Sequence, residues 1–348
     1  MRRKWVIVGI GLMMFLGAPI ASMAQDKSAA LQRLYEAAKK EGRLVLHDGS
    51  TIEQITPIIQ VFEKRFPGVK VEPIVQPAPT INQRIILEAQ AGKLSVDAAQ
   101  GSAQARLVNL IDRGLVRKLD LSKVIDIDPK DVWQGGMLHI HKSVVSCLVY
   151  NKNLVSPADE PRTWEDLLNP KWKGGKIFVS GFGSSHAAMF FTREESDVVN
   201  YLKQLRKQEL TIKKDPRACT ADVASGEAFI GEAFSRVIKP FKDAGAPVEL
   251  TSIGPQVYVP DGTYALNDSP HPNAAELWIA WLMTPEGRNT TLKVSGFAPE
   301  IKCTNSPSAQ WLCDKGIKFK VLQTLKEAIL YGEYQTKVQE VLGLVPGK

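Results

Sequence analysis

From Arg43 to Gly114 the chain alternates short apolar runs with stretches whose apolar residues recur every three or four positions, and this alternation constrains the fold most. "RLVLHDG", "VKVEPIVQ" and "SVDAAQG" read as strands. "TIEQITPIIQVFEKRF", "INQRIILEAQAG" and "AQARLVNLIDRG" read as the helices that follow them. Strands separated by helices build a largely parallel sheet, because parallel neighbours need a crossover of about a dozen residues or more. The first helix carries Ile52, Ile55, Ile59, Phe62 and Phe66 on one face, which must pack on the sheet. One complete α/β lobe is expected by about residue 120.

"SVVSCLVYNKNLV" then reads as a hydrophobic strand leaving that lobe, and the Pro, Trp and Lys-rich "PRTWEDLLNPKWKGGK" opens a second one. Its strands are "KIFVSG", "LTIKKD", "AFIGEAF" and "PVELTSIG", with the amphipathic "VVNYLKQLRKQ" between the first two. "QVYVPDGTYALN" carries the chain back. The helical segments "HPNAAELWIAWLMTPEGRNTTLK" and "IKFKVLQTLKEAILYGEY" are expected to complete the first lobe. The expected boundaries are 25–147 and 265–348 for lobe 1 and 148–264 for lobe 2. A chain of 348 residues is long enough for two domains of ordinary size.

The first residues speak to compartment. Arg2, Arg3 and Lys4 precede an apolar run from Trp5 to Pro19, and Ser22 and Ala24 supply small side chains where a signal peptidase reads them. Residues 1–24 are therefore expected to be a signal peptide cleaved after Ala24, too short to span a bilayer. No cysteine precedes Cys147, which excludes a lipid anchor on an N-terminal cysteine. The expected location is the periplasm. Removing three signal cations lowers the formal charge from +7 to +4, a balance that gives no case for nucleic acid.

Four cysteines in an oxidising compartment read first as disulfides. Cys303 and Cys313 bracket the turn-rich "CTNSPSAQWLC", and a bridge there would contribute ~2–3 kcal/mol through the unfolded state. Cys147 lies in an apolar strand and reads as a buried thiol. Cys219 opens a helix, and its pairing with Cys147 stays open. No C-x-x-C occurs, which argues against a thioredoxin-like or zinc-ribbon site.

The stretches "LYEAAKKEGRLVLHDGS", "FEKRFPGVKVE", "ILEAQAGKLSVDA", "LVYNKNLVSPADEPRTWEDLLNPKWKGGKI", "VASGEAFIG" and "HPNAAELWIAWLMTPEGR", taken in order, resemble the extracellular solute-binding proteins of ABC importers. The resemblance is to the branch holding ferric-iron, thiamine, phosphonate and sugar-phosphate binders. It implies an α/β, two-lobed type II periplasmic binding fold with two crossover hinge segments, near Cys147–Asn151 and Val257–Leu266. It also implies a small-molecule solute, an inner-membrane ABC permease as partner, a monomer and no cofactor.

In open α/β sheets ligands collect beyond the carboxyl ends of strands. That directs attention to "HDGST", "AQGSA", "VSGFGSSH", "DPRAC" and "IGEAFSR". "GFGSSH" fails as a dinucleotide fingerprint, since His186 stands where the third glycine belongs, and no Gly-Lys-Ser/Thr follows for a P-loop. It also fails as a G-x-S-x-G nucleophile elbow. Anion capture remains, with Ser180, Gly183, Ser184, Ser185 and His186 as donors, against the plainer reading of a helix cap. Ser50, Thr51 and Ser102 are expected to face that loop from the first lobe, Arg217 to neutralise an anion, and Glu232 to meet an ammonium or hydroxyl group or form a structural ion pair. The resemblance's ferric set needs tyrosines where "IGEAFSR" has none, which argues against iron. His139 and His141 in "LHIHK" share one side of a strand and read as a surface pair. The competing functions are a serine hydrolase using Ser184 or Ser185 with His186, and a receptor that reports solute to a membrane sensor.

Overall fold

The computed structural model describes residues 18–76, 78–101, 104–295 and 307–344. Its first half runs α1 (Ala18–Glu41), β1 (Arg43–Asp48), α2 (Ile52–Arg65), β2 (Lys70–Val75), α3 (Ala78–Gln90), β3 (Ala98–Gly101), α4 (Gln104–Asp112), β4 (Val116–Arg117) and β5 (Val132–Trp133). β1 pairs in parallel with both β2 and β3. α2 buries Ile55, Ile58, Ile59 and Phe62, and Phe62 meets Trp278 and Trp281 edge-on at 4.9 and 5.4 Å between ring centroids. α1 runs through the point expected for signal cleavage. No helix among the described residues is long and apolar enough to cross a membrane.

β6 (Leu138–Asn151) is buried along its whole length and leads into β7 (Ile177–Ser180), α5 (Ser184–Ala187), α6 (Glu195–Arg206), β8 (Thr211–Lys213), α7 (Pro216–Ser225), β9 (Ile230–Phe234), α8 (Ser235–Asp243) and β10 (Val248–Leu250). β7 pairs in parallel with β8 and β9. β11 (Gln256–Leu266) returns antiparallel to β6, from Val257 opposite Ser146 to Thr263 opposite His139. These two strands join the parallel blocks into one sheet of order β2-β1-β3-β11-β6-β9-β7-β8. Strands covered on both faces read as continuous apolar runs, which is why β6 shows little alternation.

The chain ends with α9 (Pro272–Met283), α10 (Pro285–Ser295), α11 (Pro307–Asp314), β12 (Phe319–Val321) and α12 (Leu325–Leu342). α9 and α10 pack on α1 and α2. The segment from α11 onward departs from the expectation that residues 265–348 complete the first lobe. Leu312 and Ile317 are buried with Cys147, Cys219, Ile238 and Tyr258 of the second half, and the Trp311 indole donates to Glu249 at 2.6 Å. α12 straddles the two halves, touching α4 on one side and α5 and α6 on the other. A helical period reveals that a face is buried and is silent about its partner, so the reassignment was invisible in the sequence.

Candidate functional site

The carboxyl ends of β3 and β9 flank the β6/β11 ribbon, with Gly101 of β3 opposite Gly262 and Phe234 of β9 opposite Ser146, and β1 and β7 lie one strand further out beside them. Within this buried ribbon Lys142 and Asp261 face each other in register, 3.8 Å apart between Nζ and Oδ2, with side chains 11% and 3% exposed. A register shift follows between Asp261 and Gly262. A side chain at 262 would collide with Leu138 and the His139 carbonyl, so the irregularity requires glycine.

On the second half, the "VSGFGSSH" loop is built around one carboxylate. Glu232 accepts from the Ser180 amide at 2.8 Å, the Ser180 hydroxyl at 2.5 Å and the Ser185 amide at 3.1 Å, and its Oε1 lies 3.2 Å from His186 Nδ1. The Ser185 hydroxyl donates to the Cys147 carbonyl at 2.9 Å. α12 closes the loop from outside: Tyr331 donates to the Ser184 carbonyl, Gln335 to the Ser184 hydroxyl and Gln339 to the Gly181 carbonyl. Gly183, at φ +62°, allows this approach, since a Cβ there would sit 2.8 Å from Val338 Cγ1. Burial alone would raise the Glu232 carboxyl, but hydrogen bonds from His186 and Ser180 and the His186 charge outweigh it and hold the group below its usual range.

Ser180, Ser184, Ser185, His186 and Glu232 lie together, and each is at most 1% exposed. The sequence reading had them displayed to a solute; the structure spends their donors on Glu232 and the neighbouring backbone. Neither serine pairs with His186, whose Nε2 has no partner, so the arrangement lacks the serine–histidine contact that a hydrolase needs.

The first half has a counterpart. Asp48, at the end of β1, accepts from the Ser50 amide at 2.5 Å, from the Ser50 hydroxyl and from Gln100 Nε2. Thr263 in turn donates to Gln100 Oε1 at 3.1 Å and lies 3.4 Å from His141 Nδ1. Thr51 starts α2 half-buried. Its hydroxyl, then the Glu53 amide and the more distant Arg217 guanidinium, hold the exposed Glu53 carboxyl below its usual range. Arg217 is exposed in the first turn of α7, and its charge reaches Glu53 of α2. Ser102 lies outside the described residues.

Several buried polar residues were not singled out by sequence: Asp48 of β1, Gln100 of β3, and Lys142, Asp261 and Thr263 of the ribbon. The available signal was charge inside runs that otherwise read as wholly buried strand, since buried polar groups are more informative than exposed apolar ones. His139 and His141 are corrected from a surface pair to buried side chains, 1% and 2% exposed, because β6 is covered on both faces. Burial lowers His139 to about 4, and burial with the nearby Lys142 and Arg288 cations keeps His141 well below the usual value. Among the described residues no three of His, Cys, Asp or Glu are arranged to hold a metal ion. Cys147 and Cys219 are free and buried; burial, then the Glu232 charge, pushes both thiols up. The expected Cys303–Cys313 bridge depends on Cys303, which lies outside the described residues.

Two parallel blocks joined by two long antiparallel crossing strands form the type II periplasmic binding protein fold, and known structures share it across most of the chain. Iron-bound HitA from Pseudomonas aeruginosa matches with a TM-score of 0.72 at 19% identity, covering 86% of this chain and 99% of that one. The substrate-binding protein of an ABC transporter from Agrobacterium tumefaciens matches at 0.72 and 17%, covering 86% and 95%. AfuA from Actinobacillus pleuropneumoniae, with fructose-6-phosphate bound, matches at 0.64 and 19%, covering 87% and 99%. No curated protein matches the sequence. The model of the bacterial extracellular solute-binding protein family matches residues 58–311. The chain belongs to that family: it binds a solute rather than converting one.

Proposed function

We propose that the mature protein works in the periplasm as a monomer, captures a small polar anionic solute between its two halves and hands it to an ABC permease of the inner membrane. The observation that carries this reading is that the ends of β3 and β9, with β1 and β7 beside them, flank the β6/β11 ribbon, with Ser50 and Thr51 on the first half and the exposed Arg217 on the second. Relatives of the same fold hold iron or fructose-6-phosphate. Closure about the ribbon would bury the solute and change the outer faces presented to the permease. Ser50, Thr51, Ser102 and Arg217 are the proposed solute contacts. The Ser180–His186 loop and Glu232 brace the second half behind them. The halves are proposed as 25–147 with 265–295, and 148–264 with 307–344.

The reading includes cleavage after Ala24 and a Cys303–Cys313 bridge, the latter supported by the free state of the other two cysteines. Native mass spectrometry of protein released gently from the periplasm tests these together. The expected result is a polypeptide beginning at Gln25, lighter by two hydrogens than its reduced form, carrying a small anionic solute. Added back at about 100 times its dissociation constant, that solute should stabilise the protein by about 2.7 kcal/mol and be recovered unchanged. Consumption of the compound would overturn the proposal.

A further inference from the structure

We infer that Glu232 is a resident anion: its carboxylate fills the donor set of the loop between β7 and α5 and so determines specificity by excluding a small external anion from that place. A carboxylate offers about four acceptor directions. Glu232 receives the Ser180 amide and hydroxyl on Oε2, and the Ser185 amide and His186 Nδ1 on Oε1. All four donors lie 47 to 52 residues away in sequence, or 46 in the case of His186, and none comes from the turn in which Glu232 itself sits. A helix cap needs only a local side chain. This loop instead draws a carboxylate from the adjacent strand β9, as a bound anion would be drawn from solution.

The enclosure supports the same conclusion. Glu232 is 1% exposed, and Ser180, Ser185 and His186 are not exposed at all. Tyr331, Gln335 and Gln339 of α12 hold the loop shut through Ser184 and Gly181. The Ser185 hydroxyl, 3.1 Å from that of Ser146, is committed to the Cys147 carbonyl. The four donors around Glu232 are therefore already taken, and a solute anion cannot use them and must be read by other groups. This conclusion does not depend on which solute the protein carries.

Chemical rescue provides the test. Glu232→Ala removes Cγ and the carboxylate and leaves its four donors around a space the size of acetate, which admits formate. Thermal unfolding of the purified full chain is measured in sodium formate and, at equal ionic strength, in sodium chloride. The wild type should unfold at the same midpoint in both salts. Glu232→Ala should unfold well below the wild type in chloride and recover at least half of the deficit in formate, saturably. Glu232→Gln keeps the volume but turns an amide nitrogen toward donors; it should be destabilised and show no rescue, because the space is filled. If Glu232→Ala does not fold in chloride, its refolding yield in formate against chloride reads the same quantity. A midpoint or yield of Glu232→Ala indifferent to formate, or Glu232→Gln as stable as the wild type, overturns the inference. Because no solute enters the experiment, its failure leaves solute capture standing, and failed solute capture leaves the rescue intact.

Discussion

The two corners that meet at the crossing ribbon solve one problem in different ways. In the first half, Asp48 gathers the Ser50 amide, the Ser50 hydroxyl and Gln100, using a carboxylate two residues from its main donor. In the second, Glu232 gathers Ser180, Ser185 and His186 from across a strand pair. The first is a local turn whose rim, Ser50 and Thr51, stays half-exposed. The second is sealed. A strand end that closes on its own local carboxylate can still offer neighbouring groups to a solute, whereas one closed by a distant carboxylate becomes part of the core.

The difference predicts unequal responses to substitution. Glu232→Ala in chloride should cost about 3–5 kcal/mol, because it strands buried amides and an imidazole without their acceptor; chemical denaturation reads the loss. Asp48→Ala should cost about 1–3 kcal/mol, since water can reach the half-exposed Ser50 once the carboxylate is gone. Equal costs at the two corners would erase the distinction between them.

Acid should act next, on the buried histidines of β1 and β6. His47 and His139 both fall from 6.5 to about 4 in the folded chain, through burial, with Arg84 adding to the effect at His47. As pH drops from 6.5 to 4 the unfolded chain takes up protons that the folded chain refuses, so stability is lost through that window and is full above it. Glu232, held below its ordinary value, loses its contribution at lower pH, as its folded form protonates. His139→Gln should make the fall between pH 6.5 and 4 shallower by up to about one proton. An unchanged slope would place the sensitivity elsewhere. At the small end, Ser184→Ala should cost about 1 kcal/mol, the value of its single contact with Gln335.

Much of the fold was legible because it rests on periodicity: the alternation after Arg43, the second set of strands and the return on "QVYVPDGTYALN" each became an element close to where it was expected. The polar corners divide along the same line. At "HDGS" the carboxylate and its main donor lie two residues apart, within a local turn that Asp and Gly favour. Glu232 carries no such mark, because its donors sit on another strand and only the pairing of β7 with β9 brings them near. The packing partners of the tail after residue 307 were hidden for a related reason. Trp311 and Leu312 declare a buried face, but the Glu249 acceptor and the Cys219 neighbourhood that receive them lie some sixty or more residues earlier.

Which side chains touch the solute decides between an open rim and a sealed loop as the binding site. The affinity of the retained solute, measured by calorimetry for wild type, Arg217→Gln and Ser184→Ala, addresses that directly. Arg217→Gln should leave stability within about 0.5 kcal/mol of wild type, as for an exposed residue, and weaken binding about tenfold or more, the loss of about 1.4 kcal/mol. Ser184→Ala should bind within about twofold of wild type, or ~0.4 kcal/mol. A tenfold loss at Ser184 with none at Arg217 would contradict the account, because the sealed loop would then be the solute's clamp.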